Sequence, residues 1–153
     1  MANNYLQYSE VIEDLTDEEI KFLETCFKWE PPLDAEGELP DGFEYPGWYD
    51  PQAEGVGFDY DLKKMDRSIY FISEEYGNLH TLGSLVHELI LKFRPNAIFK
   101  LTYAETCSKM RLGEFSGGAM VVSKYGVEYM NAADWATRLV NEIHQKIKKE
   151  KEQ

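Results

Sequence analysis

Catalytic and metal-binding signatures are missing from this 153-residue chain. It has no G-x-x-x-x-G-K-[ST] phosphate loop, no H-E-x-x-H zinc pair and no nucleophile elbow. Cysteine is scarce: Cys26 and Cys107 do not form a C-x-x-C pair and are too few for a disulfide framework, so free thiols and a cytoplasmic location are expected. No apolar run approaches the roughly 20 residues that a membrane span requires, and the opening MANNYLQYSE has neither a basic n-region nor an apolar h-region. Neither a membrane association nor a targeting segment is expected.

Basic residues are also scarce, and unevenly so. Residues 1 to 66 hold 18 Asp and Glu against 4 Lys, a net of −14, whereas residues 67 to 153 hold 10 acids against 12 bases, a net of +2. A field of that sign repels nucleic acid and raises encounter rates with basic surfaces. Direct nucleic-acid binding is therefore not expected; a basic protein surface is the expected partner. Apolar residues at 43% and aromatic residues at 14% are enough for a folded core. A single domain spanning 1–153 is expected, since a chain of this size buries roughly 68 to 70% of its unfolded surface.

Thr16 with Glu19 three residues on forms a capping box, with Ile20, Leu23 and Phe27 following as one helical stripe that must end near Trp29, before Pro31 and Pro32. Residues 30–55, EPPLDAEGELPDGFEYPGWYDPQAEG, hold five of the six prolines and read as one long loop. Two strands, Val56 to Leu62 and Ser68 to Ser73, suggest a hairpin. Asn78 caps a helix carrying Leu82, Val86, Leu89 and Ile90 to a stop at Arg94 before Pro95. Ile98 to Ala104 and Phe115 to Ser123 read as a second hairpin. Asn131 caps a last helix with Trp135, Leu139, Ile143 and Ile147 at four-residue spacing, fraying into a charged tail over 148–153. The expected fold is α+β and two-layered: an N-terminal helix and long loop, then β-β-α-β-β-α, with an antiparallel sheet and helices packed on it.

Candidate sites are few. Three glycines in GEFSGGAMVV, residues 113–122, lead into a β-branched run and not into a helix, so a bulge or a close backbone approach is expected before a phosphate cradle. His80 and His87 are seven residues apart on one helix, too far for one metal ion, and His144 has no ligand pattern around it. Asp59-Tyr60-Asp61 and the Asp34 to Glu38 stretch fail the EF-hand template. No metal, cofactor or catalytic residue is assigned. Cys107, between Glu105 and Lys109, has two readings: a thiol activated by nearby cations, or a small residue in a strand connection. Tyr103, Glu105, Cys107 and Glu114 would line any pocket between sheet and helices, the setting for a small-ligand or enzymatic role.

The stronger signal is in the loop. Asp34, Glu36, Glu38, Asp41, Phe43, Glu44, Tyr45, Trp48, Tyr49 and Asp50 interleave acids that steer with rigid rings that anchor, the composition of a surface for a basic partner. The rings could equally fold onto the protein's own sheet, and the two readings are compatible.

The segment TYAETCSKMRLGEFSGGAMVVSKYGVEYMNAADW resembles small acidic proteins of unknown function carried by phages and mobile elements. There a similar Ala-Glu-Thr-Cys-Ser-Lys segment precedes a Gly-Gly-Ala strand and an Asn-x-x-Asp/Glu-Trp helix start. The resemblance covers about the last third of the chain, with a weaker echo at Thr16 to Phe27, and brings no ligand or catalytic residue. It implies an accessory protein that acts by binding; the acidic N-terminal half adds the expectation of an inhibitor that imitates nucleic-acid charge on a basic partner surface.

Overall fold

A computed structural model describes residues 3–53 and 55–153. Nine elements follow in order: β1 (Asn4–Ile12), α1 (Asp17–Phe27), β2 (Tyr60–Lys63), β3 (Ser68–Ser73), α2 (Leu79–Phe93), β4 (Phe99–Cys107), β5 (Ser116–Ser123), β6 (Gly126–Asn131) and α3 (Ala132–Lys151). The strands form one six-stranded sheet in the order β2-β3-β1-β4-β5-β6, with every neighbouring pair antiparallel. The class is α+β.

Sequence reasoning placed a helix first; the structure begins with a strand, and a central one. The second half of β1 pairs with β3, Tyr8 opposite Ser73 through Ile12 opposite Ile69. Its first half pairs with β4, Asn4 opposite Cys107 through Gln7 opposite Ala104. β1 thereby stitches two separate hairpins into one sheet. Its alternation is blurred because Tyr5 and Val11 lie opposite in phase to Leu6, Tyr8 and Ile12, and Glu10 interrupts the inward row. Pairing with Asn4–Gln7 also extends β4 to Cys107, so Glu105 and Cys107 lie in a strand and not in the connection after it.

Two further corrections concern strand boundaries. β2 starts at Tyr60 because Gly57 sits at φ +78, outside the strand region. Val56 and Phe58 are still buried, but as loop residues. After β5 the chain turns over Lys124–Tyr125 into β6, a strand that sequence reasoning omitted. None of its residues is fully buried, three being half-buried and three exposed, so the apolar row that marks a core strand is weak.

The caps behave as their residue types require. Thr16 Oγ1 accepts from the Glu19 amide at 3.2 Å while the Glu19 carboxylate accepts from the Thr16 amide at 3.1 Å. Asn78 accepts from the Thr81 amide, and Asn131 from those of Ala133 and Asp134. Leu82, Leu85, Val86, Leu89 and Ile90 of α2 and Ile20, Leu23 and Cys26 of α1 form one core with Ile12, Ile69, Phe71, Leu101, Met120 and Val122 of the sheet. The opposite sheet face carries Gln7, Ser9, Ile72, Lys100, Thr102 and Val121, all exposed. Helices therefore cover one face only.

α1 and α2 are locked by a buried ion pair. Glu19, 2% exposed, receives Arg94 Nε at 2.6 Å and Nη2 at 2.9 Å, and the same guanidinium donates to the Asp14 carbonyl at 3.2 Å and the Glu13 carbonyl at 3.4 Å. Arg94 is the residue that ends α2, so one side chain ties that end to the start of α1. Burial alone would push the Glu19 carboxyl up. Hydrogen bonds from Arg94 and Thr16, with the Arg94 charge, outweigh it and hold the group below its ordinary value of 4.5.

α3 departs most from expectation. The predicted stripe is present, but none of its residues is buried: the helix meets the domain at β5 and β6 without enclosing its apolar face. Nor does it fray at 148: it continues to Lys151, with Lys148, Lys149 and Lys151 in the last turn where the helix dipole favours cations.

Candidate functional site

The loop after α1 is ordered by its own rings. Trp29 is the hub, with ring centroids 4.6 Å from Tyr49, 5.9 Å from Trp48, 6.3 Å from Phe43 and 6.4 Å from Tyr45. Tyr45 stacks on Tyr49 at 5.3 Å, and Phe43 meets Tyr45 edge-on at 5.3 Å. Each such pair contributes about 0.5–1.5 kcal/mol beyond area burial, enough to fix a loop that has no regular secondary structure. The rings pack on Trp29, just past the end of α1, and on one another, and Trp48 joins the core that the sheet residues form, with Trp29 and Tyr49 packed against it. Trp48 is only 8% exposed, which removes it as an anchor for a partner; Phe43, Tyr45 and Tyr49 are half-buried.

The six candidate acids of the loop divide by role. Asp34 builds a turn: its Oδ1 accepts from the Glu38 amide at 2.8 Å and the Glu36 amide at 3.0 Å. Asp50 is a brace, accepting from the Gln52 amide at 2.9 Å and from Asn78 Nδ2 at 3.0 Å, which fastens the loop to the residue that caps α2. Glu36, Glu38, Asp41 and Glu44 are exposed. Among the described residues the ion pairs of the acidic half use Asp17, Glu19, Glu24 and Asp61, so these four carboxylates project without a cation of the protein's own. The loop that the aromatic cluster orders thus carries four exposed, uncompensated negative charges.

The other candidate set is partly assembled. Tyr103, Glu105 and Cys107 alternate along β4 and so share the helix-side face, with Gly118 opposite Tyr103 and Ser116 opposite Glu105 in β5. All three are half-buried, and Glu114 lies in the connection before β5. Gly118 answers the question raised by GEFSGGAMVV. A Cβ there would clash with the Met130 carbonyl and the Tyr103 hydroxyl, so the glycine lets two strands and a ring approach closely.

A cleft of about 740 Å³ opens elsewhere, lined by Gly57, Phe58, Asp59, Tyr76, Gly77 and Asn78 among others. A neighbouring concavity adds Glu74 and Glu75 beside Asp59. Under Gly77 lies the Tyr8 hydroxyl, buried and without a hydrogen-bond partner; burial, with the Asp59 charge adding, pushes it up to about 12. Sequence reasoning missed this acidic end of the sheet because its carboxylates come from two separate segments. It also missed Trp29 as the hub, for which its neighbourhood of four downstream rings was the available signal. Among the described residues no three His, Cys, Asp or Glu side chains converge as a metal-binding group, and no helix is long and apolar enough to cross a membrane.

No family model, curated protein or solved structure matches the chain.

Proposed function

We propose that this protein is a non-enzymatic, acidic accessory protein that binds a basic protein surface through the loop at residues 30–55, competing there for contacts that nucleic-acid phosphate would otherwise make. One observation carries the reading: among the described residues no cation pairs with Glu36, Glu38, Asp41 or Glu44, which are exposed on a loop that its own aromatic cluster holds in place. Pre-ordering lowers the entropy lost on binding, and unpaired carboxylates supply steering and register. Acids at Asp59, Glu74 and Glu75 extend the same chemistry to the end of the sheet. The resemblance of the last third of the chain to small acidic proteins of unknown function carried by phages and mobile elements is a further reason for reading it as a binding protein.

The test is a four-site reversal, Glu36→Lys, Glu38→Lys, Asp41→Lys and Glu44→Lys, which leaves the turn-forming Asp34 and the bracing Asp50 in place. Proteins captured from extract by the wild-type chain at about 50 mM salt and released by about 200 mM salt are expected to be lost by the variant. Duplex DNA should displace the same proteins. Equal capture by the variant, with its thermal midpoint unchanged, would refute the proposal.

A further inference from the structure

We propose that α3 is a self-association element that pairs antiparallel with α3 of a second copy of this chain. The helix spans 20 residues, about 30 Å at 1.5 Å per residue. Along it Trp135, Leu139, Val140, Ile143 and Ile147 stand 37 to 50% exposed. Its contacts with the domain are to β5 and β6, and every residue from 132 to 151 remains exposed. An amphipathic helix projecting into water gains little stability from propensity alone, and most helical stability comes from covering the apolar face.

The charge pattern selects the occupant. Beside the apolar row at 135, 139, 143 and 147 runs a second row, one residue earlier in register, of Arg138, Glu142, Lys146 and Glu150. Its signs alternate plus, minus, plus, minus. Reversed, the row reads minus, plus, minus, plus, so an antiparallel copy places Arg138 opposite Glu150 and Glu142 opposite Lys146, each twice across the two-fold axis. A parallel copy would instead set this row against the opposite flank of its partner, Ala136, Val140, His144 and Lys148, and would form none of these pairs.

The two rows share a centre. The charged row is symmetric about residue 144, and Leu139, Ile143 and Ile147 are symmetric about residue 143. One two-fold axis therefore serves both within about 1.5 Å of helix rise. Reversal also returns Lys148, Lys149 and Lys151 toward the partner's body. Residues 1–131 hold 24 acids against 11 bases, a net of −13, whereas α3 holds 3 acids against 5 bases, a net of +2. A self-complementary patch of this kind closes as an isologous dimer. The overlap from about residue 137 to 151 is short, roughly 22 Å, which places the dimer among the weaker interfaces by area.

The test uses the full chain in sedimentation equilibrium from low micromolar to several hundred micromolar. A reversible shift from 17.8 kDa to twice that mass is expected. Leu139→Asp and Ile143→Asp should each raise the dissociation constant more than about a hundredfold, because the dimer would bury two unpaired carboxylates; circular dichroism and the thermal midpoint of the monomer check that the domain stays folded. Orientation is read in a Cys107→Ser background under oxidising conditions. Mixing Arg138→Cys with Glu150→Cys chains should give mixed disulfide dimers in excess over either like pair. A mass of 17.8 kDa at every concentration, a dimer indifferent to both aspartates, or like-with-like cross-links would each overturn the proposal.

Discussion

Replacing Arg94 by Met removes a guanidinium that makes two short hydrogen bonds to Glu19 and closes the carbonyls of Glu13 and Asp14. The carboxylate left behind is 2% exposed and cannot recover water. Breaking such a pair from one side costs about 3–5 kcal/mol, and at about 2–4 °C per kcal/mol for a chain of this length the thermal midpoint should fall by about 6–20 °C. The pH dependence carries a sign. The folded-state pKa of Glu19 lies below its ordinary value, so its contribution is complete above about pH 4.5 and is lost as pH falls through the folded value. Adding Glu19→Gln removes the stranded charge while keeping an amide oxygen to accept from the Thr16 amide, so the double variant should lose less than the sum of the single losses. Denaturant unfolding of the four proteins at pH 7 and pH 4 measures both the coupling and its decline in acid. A loss below about 1 kcal/mol for Arg94→Met, or strict additivity in the cycle, would refute the assignment of this pair as the lock between α1 and α2.

Gly118→Ala should destabilise by at least about 3 kcal/mol, the upper end of overpacking costs, because its Cβ meets a backbone carbonyl that cannot yield. Gly113→Ala, in open space at φ +74, should cost only about 1 kcal/mol of backbone strain; denaturant midpoints compare the two. Tyr8→Phe removes a buried hydroxyl with no partner and should be neutral or stabilising by up to about 1 kcal/mol, measured in the same way. Burial, partly offset by Lys92 and reinforced by Glu88, pushes the Cys26 thiol up to about 11, so at pH 8 one thiol, that of Cys107, should react promptly with a disulfide reagent. Both should react once the protein is unfolded.

What could be read without coordinates was what acts within a turn or two of chain. The capping box at Thr16, the caps at Asn78 and Asn131, the prolines that end α1 and α2, and the asymmetry of charge are each local in sequence. So were the aromatic loop and the order of most elements after it. Pairing partners chosen over long range were not legible: β1 becomes the central strand only because β3 and β4, some 60 and 100 residues away, supply its neighbours. β6 is a strand through its pairing with β5, with Val127 packed against the core, and both neighbours are chosen by tertiary contact. The same holds for the sites. Composition picked out the loop acids, but only packing separated Asp34 and Asp50, which hold the loop, from the four carboxylates that project from it, and only packing turned Trp48 inward. A helical stripe likewise states that a face is apolar, whereas what covers that face is a tertiary matter, and for α3 the domain itself leaves it uncovered. Local sequence sets which conformations are cheap; burial and pairing, which join residues distant along the chain, decide which surfaces remain for function.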